Sequence, residues 1–196
     1  MTAGYAWQAP DLLRRYESIT FADAHRAILH LIPRQPSDVV DIGAGTGRDA
    51  AAFAGMGHRV VAVEPTAEMR LGAMRLHPSP RIEWLDDSLP DLTLLTARRE
   101  TYDLVMLTAV WMHLDKKQRR RAMTKVSSLV RTGGMMSLTL RHGPVPAGRR
   151  MFAVSAEETV GLAAARGLRV ALELEAQPSL GQVGVTWTRL VFKREG

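Results

Sequence analysis

The 196-residue chain has no cysteine. A disulfide framework, a thiolate nucleophile and a cysteine-ligated metal are therefore excluded. The absence fits a reducing compartment, and a cytoplasmic location is expected. No His or carboxylate cluster has metal-ligand spacing, so no metal is expected either. The opening stretch, MTAGYAWQAPDLLRRYE, lacks a basic flank followed by an apolar run, so no signal peptide is expected. The later apolar stretches are too short, or too broken by charge, to span a membrane. Internal repeats and low-complexity segments are missing too. The length suits one domain with a substantial core.

Charge is what the chain has in excess. Lys and Arg number 26 against 20 Asp and Glu, a formal net charge of +6. Basic chains can be drawn to nucleic acid or anionic surfaces. The densest run, Lys116 to Arg121, falls where an exposed helix start is expected, and there it reads as a solvated face. No nucleic-acid or membrane partner is expected from it.

Apolar runs of strand length alternate with amphipathic segments, the pattern of βαβ units around a parallel sheet. Strands are expected at 39–42, 59–64, 81–85, 102–108, 135–140, 168–175 and 185–193, the last two joined by a turn containing Gly and Pro. Asp115 and Gln118 form a capping box before Met123, Val126, Leu129 and Val130 at helical spacing, with Gly133-Gly134 as the stop. Ser155 and Glu158 form a second box, closed by Gly167. Earlier, Phe21, Ala24, Ile28 and Leu31 mark one helical face that Pro33 ends. Residues 1–36 thus read as an N-terminal helical extension laid against the sheet domain, as lid or packing.

The segment VVDIGAGTGRD, residues 39–49, carries most of the chemistry. A buried strand runs into Gly43, Gly45 and Gly47, then into a helix. Glycine permits the tight turn and lets a ligand approach the main chain. The second strand ends at Glu64, whose carboxylate has two acceptor oxygens and no donor and suits a vicinal diol. The spacing is G-x-G-x-G, not the G-x-G-x-x-G of dinucleotide sites. Asp41 and Asp49 flank it and would repel a pyrophosphate, whereas a ligand bearing an ammonium and a sulfonium would be welcome.

VVDIGAGTG followed by VVAVEP resembles motif I and the following acidic motif of the class I S-adenosylmethionine-dependent methyltransferases. The resemblance spans residues 37–143, matches the C-terminal hairpin more loosely, and meets the N-terminal extension only in its being helical. It implies an α/β, Rossmann-like, doubly wound and mostly parallel seven-stranded sheet with helices on both faces and the last strand antiparallel. Residues 37–196 would be the S-adenosylmethionine-binding domain. By similarity Gly43, Gly45 and Gly47 line the methionine part, Glu64 binds the ribose, and Asp41 helps hold the loop and the amino end. RIEWLDDSLPDL resembles the segment in which an acid meets the adenine amino group. Asp86 is the choice, with Asp87 one position away, and the alternative is that Asp87 or Ser88 caps the helix opened by Pro90.

In YDLVMLTAVWMHLD, residues 102–115, the resemblance places Thr108 near the methionine end, with Val110, Trp111 and His113 walling the adenine and sulfonium. Trp111 reads either as a π face for the sulfonium or acceptor or as core. His113 reads either as a base or as a packed residue. The Asp/Asn-Pro-Pro-aromatic motif that grips a flipped base is absent, and cytosine C5 methylation would need a cysteine. After the fifth strand, Arg141 and His142 open a Gly/Pro loop. Arg141 would hold an acidic group on the acceptor and His142 would take its proton, or the loop is simply solvated. With the ordinary histidine pKa near 6.5, either base predicts activity rising through neutral pH. Tyr5, Trp7 and Tyr16 would lid the site or pack ordinarily. The expected activity is methyl transfer from S-adenosylmethionine to an O, N or C nucleophile of a small molecule. An RNA or protein methyltransferase and a non-catalytic S-adenosylmethionine-binding regulatory module are the alternatives. The sequence sets no oligomeric state.

Overall fold

The computed structural model describes residues 9–176 and 184–196. Its strands are β1 Asp38–Ile42, β2 Arg59–Val63, β3 Ile82–Leu85, β4 Tyr102–Leu107, β5 Val130–His142, β6 Leu168–Ala176 and β7 Thr186–Arg194. They form one sheet in the order β3-β2-β1-β4-β5-β7-β6. β1 to β5 pair in parallel, and β7 runs antiparallel to both β5 and β6.

Both faces of the sheet are covered, which is why its central strands read as unbroken apolar runs rather than alternating ones. Val39, Val60, Ala62, Leu104 and Met106 pack under α3 (Arg48–Gly55) and the N-terminal segment, against Ala50, Phe53, Phe21, Ile28 and Ile32. Their neighbours Val40, Ile42, Val61, Val63, Val105 and Leu107 face the other way, into a core shared with Met123, Val126 and Leu129 of α6 (Lys116–Leu129). α1 (Ala9–Glu17) lies on α4 (Ala67–Leu76), where Leu12 and Tyr16 meet Met69 and Leu13 sits over Gly72. Among the described residues no helix is long and apolar enough to cross a membrane.

Local details depart from the sequence expectations. The helix expected over Phe21–Leu31 is α2 (Phe21–His25), capped by Thr20, followed by a 3-10 segment Arg26–Leu31. α6 stops at Leu129, before Gly133-Gly134, because buried Val130 already adopts extended backbone and pairs with Tyr102. The glycines instead sit where the β4–β5 register shifts between Tyr102 and Leu104. The Asp115–Gln118 box is complete. At α7 (Ala156–Ala164) only half of the second box forms. Ser155 accepts from the Glu158 backbone N–H, but the Glu158 carboxylate pairs with Arg119 at 2.8 Å instead of reaching back. The turn expected between β6 and β7 lies largely outside the described residues.

Candidate functional site

Sheet order reverses between β1 and β4, and the crevice where open α/β sheets take ligands lies outside the carboxyl ends of strands at such a point. A cavity of about 760 Å³ opens there. The backbone N–H groups of Gly43 and Ala44 both donate to the Val63 carbonyl, at 2.8 and 3.0 Å, which folds the loop back onto β2. Gly43 has φ +77 and Gly45 φ +57, left-handed backbone that disfavours a side chain. A Cβ on Gly45 would meet nothing closer than 3.9 Å, so that residue presents bare main chain to the crevice.

Gly47 plays a different part from the one expected. It does not line the cavity: a Cβ there would lie 2.9 Å from the Trp84 ring, so glycine serves the close packing of α3 on β3 and α4. Glu64 is buried on the wall. Its Oε2 accepts from Gly45 N–H at 3.0 Å and its Oε1 from Thr66 N–H at 2.8 Å. Each oxygen keeps a further lone pair.

Asp41, 2% exposed, lines the same wall, and its Oδ2 has no hydrogen-bond partner. Burial pushes its carboxyl well above the usual range, and the neighbouring charge of Asp49 pushes it further. Asp49 is opposite in character. Burial alone would raise it, but the His25 hydrogen bond and the charges of His25 and Arg48 outweigh that and hold it at about 2. Its Oδ2 lies 2.7 Å from His25 Nε2 and accepts from Thr108 Oγ1 at 3.2 Å, and Arg48 Nε donates to Oδ1 at 2.8 Å.

Of the two acids after β3, Asp86 is exposed, absent from the wall, and bonded to Arg70 at 2.8 Å. The chain turns as β3 ends, so it is Asp87, with Ser88, that borders the cavity. Asp87 also accepts from Ser88 N–H and from Leu95 N–H in the first turn of α5 (Thr93–Ala97); the helix starts at Thr93 after Leu92 and not at Pro90, so Asp87 reaches its first turn from outside the N-cap position.

Thr108, Val110 and His113 line the crevice; Trp111 does not. Trp111 is fully buried in the α6-side core, which its place in the 3-10 turn Trp111–His113 dictates. His113 is 9% exposed, with Nδ1 2.9 Å from the Arg150 carbonyl oxygen. A carbonyl only accepts, so Nδ1 carries the proton and Nε2 the lone pair. Burial lowers its pKa, the Arg150 contact raises it in part, and Arg149 and Arg141 lower it further.

Strand alternation separates Arg141 from His142. Thr139 and Arg141 on β5, with Trp187 and Arg189 on β7, face the crevice. His142 faces the other way, with Leu138 and Leu140, and its Nε2 lies 2.8 Å from Thr188 Oγ1. It cannot reach an acceptor in this crevice. Tyr16 lines the cavity beside Leu12 and Ile19; Tyr5 and Trp7 lie outside the described residues. Arg189 and Trp187 were missed from sequence. Period-two reading of TWTRLVFKR would have put both on one face, but not said which face met the crevice. His25 gave no signal beyond a lone histidine on an apolar helix.

A glycine loop at a switch point, an acid closing the second strand and an anionic wall define an α/β protein that binds a cationic nucleoside ligand. The methyltransferase domain family matches residues 39–134, from β1 through the glycine pair in β5. The chain belongs to the class I S-adenosylmethionine-dependent methyltransferases, and S-adenosylmethionine is its methyl donor. No curated protein sequence matches it. Among solved structures, 1,6-didemethyltoxoflavin-N1-methyltransferase of Burkholderia thailandensis, with 1,6-didemethyltoxoflavin and S-adenosylhomocysteine bound, is 18% identical, with a TM-score of 0.73 over 98% of this chain and 86% of its own. Magnesium protoporphyrin IX methyltransferase of Synechocystis PCC 6803, with S-adenosylhomocysteine, is 14% identical at TM-score 0.73 over 97% and 96%. A TehB-like S-adenosylmethionine-dependent methyltransferase of Corynebacterium glutamicum is 17% identical at TM-score 0.72 over 96% and 99%. At such identities the likeness is one of fold. The residues fit the donor on their own account: the buried, unpartnered Oδ2 of Asp41 suits an ammonium, Glu64 a diol, and Gly45 the close approach of a ligand.

Proposed function

We propose that the protein methylates a small molecule held in the same crevice as the donor. One observation carries this reading: the cavity of about 760 Å³ is lined by the N-terminal segment and by the loop after β5 as well as by the strand ends. Leu12, Tyr16 and Ile19 come from the N-terminal segment, and Pro146, Ala147 and Arg149 from the loop after β5. A volume of several hundred Å³ suits a donor with a compact acceptor. A nucleic-acid strand needs an open groove.

In this reading Glu64 takes the ribose hydroxyls, Asp41 the amino group, and Gly43 and Gly45 lie along the methionine part. Asp87 and Ser88 border the adenine, in place of Asp86. Thr108 bonds Asp49 and so holds the end of β4 against the start of α3. The bound donor supplies an activated methyl on a sulfonium. The chain's own work is to orient the acceptor in line and to exclude water. The described part of the segment expected at 1–36 lines the cavity through Leu12, Tyr16 and Ile19 and does part of the excluding, which supports treating it as an extension of the domain at 37–196. His113 is the histidine placed to take an acceptor proton, where the acceptor must lose one.

The test is methyl incorporation from labelled donor into a small-molecule acceptor panel, with total RNA and protein as parallel arms at physiological salt. Transfer confined to small molecules supports the reading. Non-specific nucleic-acid affinity falls steeply with salt. Incorporation into RNA or protein that persists there would overturn it.

A further inference from the structure

The crevice is electrostatically divided. Among the described residues, its acids are Asp41, Asp49, Glu64 and Asp87 around the glycine loop, with Asp23 in the N-terminal segment; of the cations in that part, Arg48 pairs with Asp49 and Arg26 with Asp23, and Arg15 is the third. The wall contributed from Thr108 onward carries His113, Arg141, Arg149 and Arg189 and no carboxylate. The acidic part faces the position of a cationic donor. The basic part is the wall that these donor-binding residues do not use, and nothing in methyl transfer itself requires it to be basic.

Strand register builds this basic end as a flat patch. Arg141 on β5 pairs directly with Trp187 on β7, and Thr139 pairs with Arg189, so all four side chains rise from one face. Arg189 is buried and committed: it donates to the Ala24 carbonyl at 3.0 Å and to Ser137 Oγ at 3.3 Å. Thr139 is committed as well, since its Oγ1 accepts from Ala109 N–H at 2.8 Å. Arg141 is not. Its Nη1 donates to the Pro144 carbonyl at 2.9 Å and touches Met151 sulfur at 4.0 Å, which leaves Nε and Nη2 without a partner among the described residues. No described carboxylate pairs with it. Trp187 beside it is half-buried, so part of its indole is open to the crevice.

We propose that this patch is an acceptor subsite for a planar aromatic oxyanion, with the Arg141 guanidinium pairing with the charged oxygens and the Trp187 indole covering the ring. The proposal deepens the small-molecule reading and rests on it. A guanidinium edge matches two coplanar oxygens, and an aromatic face favours a flat partner over a saturated one of equal size. The fixed charge of Arg189 behind the patch favours an anion over a neutral ring. Carboxylate and phosphate share this chemistry and are separated by the test.

Calorimetry on the full chain, saturated with S-adenosylhomocysteine, compares 2-naphthoate, 2-naphthyl phosphate and neutral 2-naphthamide. The first titration, of S-adenosylhomocysteine alone, checks the donor site separately, so failure there is not failure here. At least one oxyanion is expected to bind roughly tenfold or more tightly than the amide, the usual worth of a hydrogen-bonded charge. Whichever of the two binds better identifies the oxyanion. Arg141→Ala should abolish that preference while leaving S-adenosylhomocysteine affinity unchanged. Trp187→Ala should weaken oxyanion and amide alike by roughly fivefold, and Trp187→Phe should restore both. Equal binding of all three probes, binding of none, or an oxyanion preference that survives Arg141→Ala overturns the proposal.

Discussion

His25 Nε2 lies 2.7 Å from Asp49 Oδ2, with both side chains buried, so the N-terminal segment is tied directly to the first turn of α3 behind the glycine loop. Arg48 strengthens the tie by donating to Asp49 and, at 3.3 Å, to the Tyr16 carbonyl. The wall and the loop are therefore one mechanical unit. His25→Ala should cost about 2 kcal/mol or more, because it strips a partner from a buried charge. The sign of the pH dependence follows from Asp49, which is held at about 2. Its contribution is complete above the unfolded-state value of about 4 and is lost as pH falls through the folded one. Urea unfolding at pH 7 and at pH 3 should show the wild type losing stability toward acid and His25→Ala losing less. Equal slopes for the two proteins would separate Asp49 from His25 energetically.

Asp41 is a burden in the ligand-free protein. Its carboxyl is raised by burial and by Asp49, so in the ionised form it opposes folding at any pH above the unfolded carboxylate value. Asp41→Asn should therefore raise the melting temperature of the ligand-free protein at neutral pH. The same change should weaken S-adenosylmethionine binding by roughly tenfold, the cost of a lost charge-assisted hydrogen bond. Thermal melts and calorimetry read the two effects separately. A variant less stable than the wild type with unaltered affinity would mean that the carboxylate is not held for the ligand.

Gly43 meets two constraints that substitution can separate. Its φ is +77, and a Cβ would lie 2.2 Å from Val110 Cγ1. Gly43→Ala should destabilise by about 2 kcal/mol or more, summing a left-handed backbone cost of about 1–2 kcal/mol and an overpacking cost of similar size. Adding Val110→Ala should return the packing part and leave the backbone part. Denaturant unfolding of both single variants and the double variant measures this. A double variant no better than the sum of the singles would place the whole cost in the backbone.

What could be read from the sequence was whatever depends on local pattern. VVDIGAGTG and RVVAVE announce a strand, a left-handed turn and an acid at a strand end, because each needs particular residue types at fixed spacing. All seven strands could be located for the same reason, within a few residues at most ends. The misreadings came where a neighbour in space decides. Asp86 and Asp87 are equivalent in sequence, and only the exit angle of β3 gives one to Arg70 and the other to the crevice. Arg141 and His142 were read as a pair, yet alternation along β5 puts them on opposite faces. Gly47 looked like ligand-binding glycine and is packing glycine, because Trp84 comes from another strand. Trp111 was open between cavity and core, and the 3-10 turn turns it into the core.

The pH profile of turnover should report His113. The unperturbed histidine value predicts activity climbing across neutrality, but burial, reinforced by Arg149 and Arg141, moves His113 below that value. The imidazole is then neutral at pH 7, with its proton on Nδ1 toward the Arg150 carbonyl and its lone pair on Nε2. If it accepts the acceptor's proton, activity must rise on the acid side of about pH 6.5 and be level through neutrality. His113→Gln should lower turnover by roughly a hundredfold or more and erase the acid limb. S-adenosylhomocysteine affinity should stay within about twofold, since an interaction made only during proton transfer leaves ground-state binding alone. His142→Gln, on the far face of β5, should leave both turnover and profile intact. Steady-state kinetics from pH 5 to 9 on the three proteins decides between the histidines. Retention of the acid limb in His113→Gln would assign it to the acceptor's own ionisation, and the protein would then act by positioning alone.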